Sequence, residues 1–260
     1  MKPSEYCRET ADGIRKSLGA DAARWKIRVF DEIDSTNTEA KRMAADGFDG
    51  LALIVADRQT AGRGRMGRSF YSPTQTGAYF SMLYTPTDPL SDAVRITGAA
   101  SVAVMRAIRT LTGKQVGIKW VNDLYLDGKK IAGILAESAV SAEGVRVIVG
   151  IGINLCTEDF PSEIASVAGS LQTRSVTPAH IIAEVVRELT PYLEDSQNTS
   201  WLDDYRTFST VLGRPIYWLR EGERYDGVAL EIDGNGSLVV RRSDGKEELL
   251  STGEITLRLQ

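Results

Sequence analysis

Reactive soft side chains are what this 260-residue chain has least of: it carries one histidine, His180, and two cysteines, Cys7 and Cys156. A single imidazole excludes a multi-histidine metal site and argues against a histidine-based nucleophile system. Two distant thiols cannot fill a zinc-thiolate site, and they suit free cysteines in a reducing cytosol. No apolar run approaches the ~20 residues that a membrane-spanning helix needs. Met1–Arg24 alternates charged and small residues without an apolar segment, so it is not read as a secretory signal. An excess of positive charge is lacking as well. The net charge of -4 and the sequence pI near 5.3 argue against general nucleic-acid binding. Internal repeats and low-complexity tracts are also missing. These absences predict a cytoplasmic protein with neither membrane nor DNA as partner.

What positive charge there is gathers in one place. Residues 59–68 read Gln-Thr-Ala-Gly-Arg-Gly-Arg-Met-Gly-Arg, so Gly62, Gly64 and Gly67 are interleaved with Arg63, Arg65 and Arg68. The glycines let backbone approach a ligand closely, and the guanidinium forks suit carboxylate and phosphate. Such a loop is built to wrap an anion.

Around it the pattern alternates strands with helices. Residues 26–33 alternate like a strand, and Thr36 with Glu39 fits a capping box opening a helix to about Ala45. Leu51–Ala56 and Ala78–Tyr84 read as strands, and a long buried helix spans Asp92 to about Leu111, capped by Ser91 and stopped by Gly113. Asp127-Gly128 marks a two-residue type I′ turn. With that loop Tyr125 opposes Lys130 and Asp123 opposes Ala132, which places Asp123, Tyr125, Lys130 and Ala132 on one face, with Asp123 diagonal to Lys130. Val145–Leu155 is a further strand with Gly150 and Gly152 on one face. Pro178–Leu193 and Trp201–Val211 read as helices. Beyond Gly213, five short segments separated by Gly, Asn and Asp turns predict a small antiparallel barrel.

Four of these segments carry a resemblance. The Arg/Gly loop resembles the adenylate-binding loop of biotin protein ligases. Lys119-Trp120-Val121-Asn122-Asp123-Leu124 with Lys129-Lys130-Ile131-Ala132-Gly133-Ile134-Leu135 is similar to that family's central hairpin. Gly150-Ile151-Gly152-Ile153-Asn154-Leu155 is similar to its glycine-asparagine strand, and Asp34-Ser35-Thr36-Asn37 matches upstream. Order and spacing agree over residues 26–260. The resemblance implies an α+β fold: a mixed, largely antiparallel sheet flanked by helices over residues 25–211, an SH3-like β-barrel over 212–260, and a short N-terminal segment 1–24. It implies ATP-dependent formation of biotinyl-5′-AMP and transfer of biotin to a lysine of the biotin carboxyl carrier protein of acetyl-CoA carboxylase.

The site residues follow from the same resemblance. Lys130 and Arg65 would be catalytic. Biotin would meet Ser35, Thr36, Asn37, Gln59, Gly62, Arg63, Arg65, Lys130, Gly133 and Gly152. The nucleotide would meet Arg63, Gly64, Arg65, Met66, Gly67, Arg68, Phe70, Lys119, Asn122 and Asn154. Asp123 would help hold Mg²⁺ on the ATP. Many relatives carry proline where this chain has Val121, and tryptophan where it has Phe70. Bifunctional relatives carry an N-terminal winged-helix domain, and only about 24 residues precede the first strand here, so a ligase without DNA binding is expected. A homodimer paired through sheet edges is expected as well. The rival readings are a lipoate or octanoate ligase, which shares the fold, and a non-catalytic biotin sensor.

Overall fold

The structure, a computed structural model, describes residues 4–86, 93–141, 144–220, 222–251 and 256–259. A helix not anticipated from the sequence opens it: α1, Glu5–Leu18, capped by the Ser4 hydroxyl accepting from the Cys7 N–H. Its buried residues Cys7, Thr10, Ile14 and Leu18 fall at helical spacing. Residues 5–24 are therefore helical, with Cys7, Thr10, Ile14 and Leu18 of α1 buried.

The chain then alternates through β1 (Trp25–Ile33), α2 (Thr36–Ala45), β2 (Leu51–Gln59), β3 (Gly77–Tyr84), α3 (Ala93–Thr112) and β4 (Gly117–Lys119). A meander follows, β5 (Asp123–Leu126), β6 (Lys129–Ser141) and β7 (Gly144–Asn154). After it come α4 (Ser162–Ala165), α5 (Pro178–Glu194) and α6 (Leu202–Thr207). The first seven strands form one sheet in the order β1-β2-β3-β7-β6-β5-β4. Only β1 and β2 pair parallel; the other ladders are antiparallel.

The two faces of this sheet differ. Leu53, Val55, Phe80, Met82, Val149, Ile151 and Ile153 join α1, α3 and α5 in the main core. On the other face α2 alone seals a small cluster of Ala40, Met43, Ala44, Ala52, Ile54, Leu83 and Ile148. Strand alternation therefore turns Ser81, Gly150, Gly152 and Gly133 to the α2 side. There the cross-strand rung Tyr79–Gly152–Gly133–Asp123 leaves two neighbouring positions bare. A trough in the sheet surface results.

Three local expectations need correction. Asp127 and Gly128 both take positive φ, 50° and 75°, as the type I′ turn requires, and Tyr125 pairs with Lys130. A bulge then places Asp123 opposite Gly133, not Ala132. Ile131 is the extra residue: the Lys130 backbone turns aside to pair with Val167 and Gly169 at 2.8 Å each. Ala132 consequently lies in the core rather than beside Asp123. The helix expected over Trp201–Val211 ends at Thr207, because Phe208 and Thr210 bond instead to Ile118 of β4 at 2.7 and 2.9 Å. The capping box does not form either. Ser35 is the N-cap residue, and Glu39 pairs with Arg28 and Arg42. Ser91 and Asp92, expected to open α3, lie outside the described residues.

The C-terminal strands β8 (Pro215–Arg220), β9 (Glu223–Ile232), β10 (Leu238–Arg242), β11 (Glu247–Leu250) and β12 (Thr256–Leu259) form an antiparallel sheet ordered β11-β10-β9-β8-β12. This sheet is tied to the hairpin: the Trp120 indole N–H donates to the Gly236 carbonyl at 3.0 Å. Among the described residues no helix is long and apolar enough to cross a membrane.

Candidate active site

A narrow cleft lies over the bare rung of the sheet. Its lining brings together Ser35, Thr36, Asn37, Gln59, Arg63, Gly64, Arg65, Phe70, Asn122, Lys130, Gly133, Gly150 and Gly152. Most residues expected to meet biotin are among them. Gly62 lies outside the lining, where an added Cβ would run into the Phe70 carbonyl oxygen. Asp123 joins through Lys130. Met66, Gly67, Arg68, Lys119 and Asn154 lie beyond the lining. Asn154 is buried and donates to the Gly169 carbonyl at 2.9 Å, and the Lys119 ammonium sits 5.4 Å from the centre of the Tyr125 ring.

The cleft has a charged end. Lys130 Nζ lies 2.6 Å from Asp123 Oδ1, and both side chains are roughly a quarter to a third exposed. Arg65 reaches in from its loop to donate to Asn122 Oδ1 at 3.2 Å, while Asn122 Nδ2 donates to the Ile134 carbonyl at 2.8 Å. Burial holds the Arg65 guanidinium below its ordinary pKa, and the Asp123 carboxylate works against that shift. Behind them the buried Tyr205 hydroxyl donates to the Val121 carbonyl at 2.8 Å, and burial pushes its pKa far up. The Trp120–Val121 peptide that leads to Asn122 is cis.

The other end is polar and uncharged. The Thr36 N–H and hydroxyl lie 2.8 and 3.1 Å from Gln59 Oε1, and Gln59 Nε2 donates to Ser72 Oγ at 2.9 Å. Between the two ends Phe70 lies over Gly152, whose own Cβ would collide with the ring, and meets Tyr79 edge-on at 6.3 Å. Asn37 fills the space above Gly150 in the same way. The Arg/Gly loop holds its shape by its own backbone: Gly64 N–H to the Arg68 carbonyl at 2.7 Å, and Phe70 N–H to the Gly62 carbonyl at 2.9 Å.

Sequence reasoning missed Glu137. Its carboxylate takes Lys41 Nζ at 2.7 Å, Arg63 Nη2 at 3.1 Å and Asn37 Nδ2 at 2.8 Å. Burial raises its pKa, but these donors outweigh burial and leave the group below the usual carboxylate range. The one available signal was its even spacing from Gly133 and Leu135 on β6, which put it on the cleft face.

A glycine-floored cleft, cationic at one end and neutral at the other, suits a ligand that carries an anionic group at one end and an uncharged polar head at the other. Residues 29–154 match the biotin/lipoate A/B protein ligase family. The chain belongs to that family. Similar proteins include the bifunctional ligase/repressor BirA of Bacillus subtilis, 32% identical over 248 residues, covering 92% of this chain and 76% of that one. The biotin–acetyl-CoA-carboxylase ligase of Paracoccus denitrificans is 31% identical over 234 residues, covering 82% and 93%. Among solved structures, the biotin protein ligase from Aquifex aeolicus in complex with biotin and ATP superposes with a TM-score of 0.79 at 26% identity, covering 90% of this chain and 99% of that one.

Proposed function

We propose that this chain is a biotin protein ligase that joins biotin to ATP as biotinyl-5′-AMP. It then transfers biotin to a lysine of the biotin carboxyl carrier protein of acetyl-CoA carboxylase. One observation carries the reading: Lys130, Asp123, Arg65 and Asn122 converge at one end of a cleft whose other end is lined by Ser35, Thr36 and Gln59.

The first step joins two anions. A carboxylate is already a nucleophile at neutral pH, so the barrier is charge repulsion and alignment, not proton removal. Lys130 bridges the biotin carboxylate and the α-phosphate, and Arg65 supplies the second cation. The carboxylate oxygen forms a bond to the α-phosphorus as pyrophosphate leaves with its bond electrons. In the second step the neutral amine of the acceptor lysine attacks the acyl carbon and AMP departs. Ser35, Thr36 and Gln59 take the ureido ring, and Asn37, Gly62, Gly133 and Gly152 are assigned to the biotin side as well. Arg63, Gly64, Met66, Gly67, Arg68, Phe70, Lys119, Asn122 and Asn154 are assigned to the nucleotide side. Asp123 with Asn122 fits Mg²⁺ carried by ATP: one carboxylate and one amide oxygen suit an ion whose other ligands are phosphate and water. There it would neutralise phosphate charge. Among the described residues no group of three His, Cys, Asp or Glu side chains stands ready to hold an ion without nucleotide.

We further read the C-terminal sheet as an SH3-like barrel and residues 25–211 as the catalytic domain. The enzyme is expected in the cytoplasm, as a homodimer, without DNA binding. The free thiols of Cys7 and Cys156 support the cytoplasmic reading, and the net charge of -4 supports the absence of DNA binding. Biotin-dependent and lipoate-dependent ATP–pyrophosphate exchange tests the function. Exchange with biotin, its absence with lipoate, and its loss in Lys130→Ala are expected. Exchange with lipoate alone, or biotin binding without exchange, would overturn the reading.

A further inference from the structure

Glu137 is a partly buried charge that the reaction leaves without a task, and its three donors come from two different places. Lys41 Nζ at 2.7 Å and Asn37 Nδ2 at 2.8 Å both belong to α2, which is packed on the sheet. Arg63 Nη2 at 3.1 Å belongs to the Arg/Gly loop, 74 positions away in the sequence. Lys41 takes Oε1 and Asn37 takes Oε2, so helix and strand hold the carboxylate still and the loop comes to it. The same donors keep the group below the usual carboxylate range despite its burial, and it carries its charge at neutral pH.

The loop has use for such a tie. Its root is fixed by backbone bonds: Gln59 N–H to the Ser72 carbonyl at 3.2 Å, Thr60 N–H to the Ile33 carbonyl at 2.9 Å, and Ala61 N–H to the Asp34 carbonyl at 2.8 Å. Beyond Gly62 the loop closes on itself, through Gly64 with Arg68 and through the bridge between Arg63 and Ser69. Those bonds fix its shape but not its angle to the sheet. Met66, Gly67, Arg68 and Ser69 are exposed, so little apolar burial holds the tip down. Two side chains reach across the cleft instead, Arg65 to Asn122 at 3.2 Å and Arg63 to Glu137. Arg65 is committed to the reacting anions. The Arg63–Glu137 pair asks nothing of the ligand, and it leaves the Arg63 backbone free to face one.

We propose that Glu137 is a positioning residue for the Arg/Gly loop: by holding the Arg63 side chain it fastens the loop over the cleft before any ligand arrives. Binding then meets a wrapping surface already in place and does not carry the full entropy of ordering it. Glu137 itself touches no substrate. What the tie does for biotinyl-5′-AMP rests on the ligase reading above, whereas the tie itself does not.

The test is limited trypsin digestion of the ligand-free protein, with cuts after Arg65 and Arg68 read by mass, since cleavage needs the loop to open. Glu137→Gln and Arg63→Gln are each expected to speed these cuts at least twofold and to leave cuts elsewhere in the chain unchanged. Because both break one tie, the double variant is expected to be no faster than the faster single variant. Lys41→Met removes a donor from the same carboxylate but leaves the loop's tie, and stays within twofold of wild type. Arg63 is 44% exposed, so salt screens the pair, and the ratio of variant to wild-type cleavage should shrink as salt rises. Less than a twofold effect in either folded single variant, multiplying effects in the double variant, or a like acceleration in Lys41→Met overturns the proposal. Should Glu137→Gln fail to fold, Arg63→Gln decides alone. A second arm follows biotinyl-5′-AMP on dialysis, and Glu137→Gln is expected to lose it at least twofold faster. A wild type that forms no adenylate would overturn the functional reading instead, and the digestion would still decide the tie.

Discussion

Lys130→Met is the most direct probe of the electrostatic argument. The lysine stem lies over Gly133, with Cε and Nζ 3.1 Å from where a Cβ at that glycine would be. Methionine keeps much of that stem and removes the ammonium, so packing changes little and charge changes by one. In the proposed first step the ammonium would face a carboxylate and a phosphate together. Unit charges about 4 Å apart interact by about 4 kcal/mol at an effective dielectric of about 20. The side chain is 32% exposed, and screening reduces the figure to about 2–4 kcal/mol. At ~1.4 kcal/mol per decade, adenylation should slow by roughly 30- to 1000-fold. Removing the ammonium also leaves Asp123 facing the reacting anions without its 2.6 Å partner, which favours the upper end. Biotin-dependent pyrophosphate exchange reads this step, and transfer from synthetic biotinyl-5′-AMP reads the second step alone. Exchange within threefold of wild type in a folded Lys130→Met protein would refute the assignment of Lys130 as the decisive counter-charge.

Three other outcomes are expected. Arg65→Ala should fold normally yet leak activated biotin, and unchanged adenylate retention on dialysis would count against a shielding loop. In Gly150→Ala the new methyl meets Asn37, which is tethered to Ser81 and Glu137, so about 1–3 kcal/mol of stability should be lost; an unaltered Tm would show that Asn37 moves freely. Asp57 is buried, its Oδ1 accepts the Gln75 N–H at 2.8 Å, and burial raises its pKa above 3.8. The native state thus binds this proton more tightly than the unfolded chain, and stability is lost as pH rises through the native pKa. The Tm of Asp57→Asn relative to wild type should therefore climb as pH rises above the ordinary carboxylate range, and a flat difference would contradict the burial argument.

Much of the site was legible in the sequence because its signals are local. Asp127-Gly128 sets its own turn by the positive φ it accommodates, and the Arg/Gly loop pairs with itself through Gly64, Arg68, Gly62 and Phe70. The bulge at Ile131 was not legible, since it is made by residues 167–169 arriving from far along the chain to take the Lys130 backbone. Glu137 was hidden for the same reason. Its three donors come from α2 and the Arg/Gly loop, and alternation tells only which face it occupies. The N-terminal helix shows the opposite case: Ile14 and Leu18 carried the spacing, but a stripe interrupted by Thr10 and Cys7 reads weakly until α5 and β1 are there to receive it.

That helix has a practical outcome. Because α1 shares the main core with α3 and α5, whereas the cleft opens on the face covered by α2, a tether on an exposed residue of α1 such as Lys16 sits across the sheet from the cleft. A module held there would leave the mouth open, and attachment on this helix is the natural route for immobilising the protein without obstructing the cleft.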